Sequence, residues 1–284
     1  KIRYHTISEE YYSGQDKRNR VKELGSISGI TDWRIIKPDK NYDWINQGDT
    51  KFIEYLPIGS KDAKSGITNA VFQMYSPGVG TSRDVWVYNF SIKEITKNMK
   101  LQIEYCNKQN LNDQNLSKKP HDPKQVSWSH DLSKRLKNSK PFFDKNKIRI
   151  SMYRPFFKQY LYYDKIFNER PGLLSKFLPD EKSENILICV PFHGTGAFST
   201  IILDTIPCGD CLQHTHCYPL YTYDTNNGGK KYRKDNITNA TLEEYQIFYN
   251  DKKITKEDIF YYVYGLLHHP KYREKYANNL LKDH

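Results

Sequence analysis

Residues 76–90, Ser-Pro-Gly-Val-Gly-Thr-Ser-Arg-Asp-Val-Trp-Val-Tyr-Asn-Phe, restrict the backbone more than any other stretch of the chain. Pro77-Gly78, with Gly80 two residues on, dictates a turn, because proline locks one φ and glycine alone takes up positive φ without cost. The polar run Thr81-Ser82-Arg83-Asp84 follows. After it, the alternation of Val85–Phe90 predicts a strand with Val85, Val87 and Asn89 on one face and Trp86, Tyr88 and Phe90 on the other. An arginine at the root of such a strand is delivered from a rigid edge, where its fork fits a phosphate or a guanine. Arg83 and Asp84 can instead close the loop as a local ion pair.

The remaining pattern alternates short strands with capped helices. Ile2–His5, Phe52–Pro57, Lys147–Tyr153 and Tyr160–Tyr163 read as strands, and Asn185–Phe192 and Thr200–Leu203 as the most apolar, central ones around a turn at 193–196. Pro219–Tyr223 reads as another short strand, and residues 224–235 as a polar basic loop. Helices are expected at Ser13–Leu24, stopped by Gly25, from Ser91 behind a Ser91-x-x-Glu94 cap, and at Asp131–Leu136. Thr241-x-x-Glu244 and Thr255-x-x-Asp258 each open a further helix, and Lys271–Leu281 forms the last. Residues 107–127 are Asn-, Gln- and Lys-rich and predict a long surface excursion. Tryptophans of the two Asp-Trp pairs, Trp33 and Trp44, are expected to be buried under a loop. The sum is an α+β fold: a mixed, mostly antiparallel sheet, peripheral helices and a helical C-terminal cap over 236–284.

Charge limits the partners. The formal net charge is +11, spread over all 284 residues rather than held in a tail, which predicts a folded basic surface suited to a polyanion. An AT-rich genome would also enrich Lys, Asn, Tyr and Ile, all abundant here. No apolar run approaches the length of a membrane span and no signal-like segment opens the chain, so a cytoplasmic protein without membrane contact is expected. Five cysteines, an odd number, do not make a disulfide framework, and the sequons at Asn236 and Asn239 are then idle. A chain that opens on lysine, directly before a strand, suggests a piece of a longer polypeptide.

The common cofactor boxes, Walker, Gly-x-Gly-x-x-Gly and His-Glu-x-x-His, are absent from the sequence, as is the Asn/Asp-Pro-Pro-Tyr of amino-methyltransferases. Two constellations remain. Pro38-Asp39 followed by Asp49-Thr50-Lys51 is a loose form of a metal-dependent nuclease pattern, which needs Asp49 and Lys51 on a strand beside Asp39. Cys208, Cys211, His214 and Cys217 offer thiolate and imidazole ligands for a structural zinc, although the second half-site is crowded against the first; reduced, buried thiols are the alternative.

Laid end to end, several long motifs resemble the C-terminal part of type ISP restriction–modification enzymes: Asp-Trp-Arg-Ile-Ile-Lys-Pro at 32–38, residues 75–90, Tyr-Arg-Pro-Phe at 153–156, Tyr-Pro-Leu-Tyr at 218–221 and residues 259–273. Those polypeptides join a nuclease, a helicase-like ATPase, an adenine-N6 methyltransferase and a target-recognition domain. The resemblance implies that residues 1–30 are the tail of a methyltransferase domain or a connector, that 31–235 form a sheet-based recognition domain, and that 236–284 cap it. It implies double-stranded DNA as partner, alongside the methyltransferase, ATPase and nuclease domains of the same polypeptide. S-adenosylmethionine, ATP and Mg²⁺ belong to those upstream domains, and no cofactor or catalytic residue is expected in this chain. A docking module for the same enzyme is the other reading. Ser82 stands where relatives carry asparagine, and Gly48 where they carry arginine.

The DNA contacts expected on this basis are Arg83 on a guanine, Thr81, Ser82 and Asn89 as polar partners, and Arg154 and Lys158 from the hairpin of residues 147–163.

Overall fold

The computed structural model describes residues 1–7, 13–40, 42–45, 47–66, 69–109, 126–192, 198–226 and 229–282. Two compact units form, Lys1–Thr50 and Lys51–His284.

In the smaller unit, strand β1 (Ile2–Tyr4) and, after helix α1 (Gly14–Leu24), strand β2 (Arg34–Ile36) pair antiparallel, with Arg3 opposite Ile35. Ser13 and Asp16 cap α1 reciprocally, and Gly25 ends it at φ 68°, donating its N–H to the Lys22 carbonyl. Trp33 is half-buried with its ring 6.1 Å from that of His5, whereas Trp44 stays exposed, contrary to the expectation for both tryptophans.

The larger unit begins with helix α2 (Lys61–Lys64), strand β3 (Ser76–Pro77), helix α3 (Asp84–Val87), strand β4 (Tyr88–Asn89), and helices α4 (Ile92–Lys108) and α5 (His130–Asn138). Strands β5 (Ile148–Arg154) and β6 (Phe157–Tyr162), helix α6 (Leu174–Phe177), and strands β7 (Leu187–Val190), β8 (Ile201–Leu203), β9 (Ile206–Pro207) and β10 (His216–Pro219) follow. Strands β11 (Tyr221–Thr225) and β12 (Lys231–Asp235) form a ribbon, and helices α7 (Asn239–Phe248), α8 (Lys256–His268), α9 (Pro270–Lys275) and α10 (Ala277–Leu280) close the chain.

Two four-stranded sheets organise this unit, in the orders β3-β10-β7-β8 and β4-β6-β5-β9; only the β5·β9 pair is parallel among their strand pairings. β7 is the wall between two cores. Leu187 and Cys189 enter one core with Val87, Met99 and Leu161, and Ile188 and Val190 enter the other with Phe72, Phe260 and Leu267. A strand apolar at every position is what a period of two requires when both faces are covered. The second core is the seat of the C-terminal helices, so the α+β architecture with a helical cap is as expected. Among the described residues no helix is long and apolar enough to cross a membrane.

Four local expectations are corrected. Residues 76–80 run extended instead of turning: Ser76–Pro77 is β3, Val79 and Gly80 bridge to Cys208 and Arg170, and neither Gly78 nor Gly80 takes a positive φ. Residues 85–90 form α3 and the two-residue β4 instead of one strand, because the Arg83 carbonyl accepts the amides of both Trp86 and Val87, and this turn drives Trp86, Val87 and Tyr88 inward. The stretch expected as a loop at 224–235 is largely strand: Tyr221–Thr225 pairs with Lys231–Asp235, the Asn226 amide donates to the Lys230 carbonyl, and Gly229 takes φ 77°. Phe52 lies in a 3-10 turn, Thr50–Glu54, rather than a strand. The 193–196 turn and most of the 107–127 excursion lie outside the described residues.

Candidate functional site

Arg83 points inward. Its side chain is fully buried, and all five of its N–H donors are used within the protein. Nε donates to Ser127 O at 3.3 Å, Nη1 to Phe167 O at 2.6 Å and Thr81 O at 3.0 Å, and Nη2 to Ser129 Oγ at 2.8 Å and Glu169 Oε2 at 2.9 Å. Desolvation lowers the guanidinium pKa and the Glu169 carboxylate opposes that shift. No donor remains for a base, so Arg83 as a guanine reader is corrected: it ties three loops, around 81, 127–129 and 167–169, to one another. Thr81 is buried too, with its hydroxyl donating to Asp84 Oδ1 and accepting the Arg83 amide.

The loops so tied belong to one end of the second sheet. β9 runs parallel to β5, with Met152 opposite Pro207, and the next residue, Cys208, forms a parallel bridge with Val79. Gly80 in turn pairs antiparallel with Arg170, exchanging amide bonds of 2.8 and 2.9 Å. β5, β9 and residues 79–80 therefore advance side by side and stop together. β4, which like β5 pairs antiparallel with β6, ends on the same side. This edge carries Ser82, Phe90, Arg154, Phe156, Phe157, Arg170 and Asp210, every one of them exposed.

Three of the expected contacts reach this neighbourhood. Ser82 is exposed at φ 56°. Arg154 is exposed, its guanidinium 4.4 Å from the Tyr153 ring centre and its Nη1 donating to the Tyr153 carbonyl at 2.8 Å and the Cys208 Sγ at 3.7 Å. Tyr153 in turn donates to Asp84 Oδ2 at 2.8 Å, and burial and that carboxylate push its phenol up to about 12. Lys158 stands on β6 with Nζ 3.6 Å from Asp204, both half-exposed or more. Asn89 is half-buried on β4, its side-chain oxygen taken by the Ser91 amide at 3.0 Å.

Two residues were missed. Arg170 is exposed, and among the described residues its guanidinium has no hydrogen bond or ion pair; its stem lies 3.5 Å from where a Gly80 Cβ would be. Phe156, at the hairpin turn, is 89% exposed at φ 62°. Arg170-Pro171-Gly172 was readable as a turn, but its pairing with residue 80 spans 90 positions and has no local signature.

Backbone strain gathers at the same edge. Of the six non-glycine residues with positive φ among those described, Ser82, Phe156, Gln213 and His214 lie in the loops that leave residues 79–80, β5 and β9. A left-handed conformation costs an L-residue about 1–2 kcal/mol, and such residues concentrate at working surfaces.

The two metal constellations do not assemble. Cys208, Cys211 and Cys217 are buried, and Cys217 pairs across the strand with Cys189, while His214 is exposed with Nδ1 3.9 Å from Asp210. Among the described residues no three His, Cys, Asp or Glu converge as a metal site. Burial raises the Cys208 thiol and pushes Cys211 up to about 12, as apolar surroundings do to a neutral acid. The Asp39 carboxylate accepts the Asp43 amide of its own turn, and Lys51 lies in the 3-10 turn Thr50–Glu54 instead of on the strand that the nuclease pattern needs.

Residues 70–284 match the model of the Type ISP C-terminal specificity domain. No curated protein matches the chain. Among solved structures, the DrdV–DNA complex determined by cryo-electron microscopy is 30% identical, with a TM-score of 0.77 over 94% of this chain and 27% of that one. A nuclease-deletion mutant of the Type ISP restriction-modification enzyme LlaGI, in complex with a DNA substrate mimic, is 32% identical, with a TM-score of 0.75 over 95% of this chain and 20% of that one. The ATP-dependent Type ISP enzyme LlaBIII bound to DNA is 29% identical, with a TM-score of 0.80 over 95% of this chain and 18% of that one. This chain thus spans under a third of the length of each. On the match over residues 70–284, the chain belongs to the Type ISP C-terminal specificity domain family.

Proposed function

We propose that this chain is the DNA target-recognition part of a type ISP-like restriction–modification enzyme, and that the edge formed by the ends of residues 79–80, β4, β5 and β9 lies on the duplex. The observation that carries the reading is the juxtaposition of an exposed arginine, Arg170, whose guanidinium is unpaired among the described residues, with the exposed Ser82, Arg154 and Asp210 on four cross-braced segments. Arginine forks onto guanine, a serine hydroxyl serves either donor or acceptor, and a carboxylate accepts from cytosine. Arg154 and Lys158 supply the phosphate contacts that set register without reading sequence. The likeness to enzymes solved with DNA supports the same partner.

Recognition rather than chemistry is the role assigned to this chain. An adenine-N6 methyltransferase, an ATPase and a nuclease elsewhere in the polypeptide would use S-adenosylmethionine, ATP and Mg²⁺, and this part would hold the register while an adenine leaves the stack. The test is anisotropy binding to a pool of random duplexes across a salt series, with sequencing of the bound fraction. Steep weakening with salt together with one enriched motif is expected; no binding at low salt overturns the reading.

Docking by the C-terminal helices is favoured by one separate observation: Ile247, Phe248, Tyr249, Tyr261 and Tyr262 leave an exposed apolar and aromatic face on α7 and α8. Substituting Phe248 with serine should leave DNA binding by this chain intact and weaken its association with the remaining domains.

A further inference from the structure

The β5–β6 hairpin ends in an exposed ring, that of Phe156. Arg154 pairs with Phe157, so Pro155 and Phe156 make a two-residue turn, and Phe156 takes φ 62°. Left-handed turn positions favour glycine or asparagine. A phenylalanine there is strained, and at 89% exposure it recovers none of the cost by burial. Among the described residues Phe156 makes no ring contact, whereas its neighbour Phe157 packs edge-on against Phe90 at 5.2 Å and Arg154 lies over Tyr153 at 4.4 Å. The base of the turn is braced while its tip projects. Cations flank that tip, Arg154 two residues before and Lys158 two residues after.

We propose that Phe156 is a wedge that stacks against or between the bases of the bound duplex, with Arg154 and Lys158 on the adjoining phosphates. The proposal rests on the DNA-recognition reading above. Apolar side chains carried on rigid elements part a base step in this way, and the π-face of any base accepts the ring. A polyanion with stacked aromatic faces matches a single protruding ring between two cations better than an apolar protein surface does. Arg154 and Lys158 would each lose water and counter-charge against such a partner for no return.

The experiment uses the intact chain and the duplex motif enriched from the random pool, synthesised with 2-aminopurine at each position in turn. Wild type should raise the fluorescence severalfold at one position, where the neighbouring base is unstacked. Phe156→Ala should abolish that rise and weaken binding about 5- to 150-fold, the range expected for one lost aromatic stack, and Phe156→Trp should restore both. Phe156→Gly separates function from folding: relief of the positive φ should raise its Tm above that of wild type while its binding falls with that of the alanine variant. If wild type binds the motif and Phe156→Ala binds equally well with the same fluorescence, the wedge is overturned and DNA recognition stands. If wild type binds no duplex, the recognition reading fails and the wedge with it.

Discussion

Arg83 Nη2 and Glu169 Oε2 meet at 2.9 Å inside the protein, while Arg170, the next residue after Glu169, faces out, and Asp84, the next after Arg83, holds the Thr81 hydroxyl and the Tyr153 phenol. The buried pair holds the segments from which the exposed edge projects. Arg83→Met should therefore cost about 3–5 kcal/mol, because it leaves three buried backbone carbonyls without their donor and Glu169 with only the Ser129 hydroxyl at 2.6 Å. Equilibrium urea denaturation measures this. An Arg83 variant of wild-type stability with altered base preference would mean that the guanidinium is free after all.

Arg170 and Lys158 should separate cleanly in binding experiments. Arg170→Lys keeps the charge but loses the fork, so discrimination at one base pair should fall by about 1–3 kcal/mol while the salt dependence holds. Lys158→Ala should weaken binding to all sequences alike and reduce the salt slope by about 1. Selection on random duplexes for the first, and a salt titration for the second, read these outcomes.

Gly78 admits no side chain. A Cβ there would stand 2.5 Å from the Cys208 carbonyl oxygen and 2.9 Å from the Gly209 nitrogen, both backbone atoms of the neighbouring segment. Gly78→Ala must push that segment away and should cost about 1–3 kcal/mol. It should also weaken DNA binding, because residues 79–80 and 208–210 would leave their common register. Gly25→Ala, with nothing within 4 Å, is strained only through its φ of 68° and serves as the comparison.

Buried thiols should make the protein sensitive to alkali. Burial pushes Cys106 and Cys211 from an ordinary 9.0 up to about 12. A folded pKa above the unfolded one means that the contribution is fully present below about pH 9 and is lost as pH rises toward 12, because the unfolded chain releases those protons first. The limiting slope is about 1.4 kcal/mol per pH unit for each thiol. Calorimetry from pH 8 to 11 should show Tm falling above about 9. At pH 8 a thiol reagent should modify these cysteines only as fast as the protein opens, and modification at the rate of free cysteine in an intact fold would contradict their burial.

Local sequence was enough for the elements whose causes lie within a few residues. Ser13 with Asp16 and Thr255 with Asp258 form both halves of their capping boxes, and Ser91 caps α4 through the Glu94 amide. The cap of α7 was read three residues late: Thr238 accepts the Thr241 amide, and the Thr241 hydroxyl is spent on Ala70 O at 3.1 Å. Only Thr241 has the acidic residue three positions on that marks a capping box, yet its hydroxyl is held by residue 70, and the cap falls to Thr238.

What the sequence by itself determined is therefore the set of local and period-two features: the hairpin of β5 and β6, the doubly buried β7 and the capped helices over the second core. Only the tertiary structure decided which polar groups face water. Arg83 is bound by residues 44, 46, 84 and 86 positions away, and Arg170 reaches the exposed edge through a bridge to Gly80. Periodicity carries the repeat of an element, and caps carry its ends. Whether an arginine is spent on internal carbonyls or left for a duplex depends on which distant loops close around it, and no pattern of neighbouring residues encodes that choice.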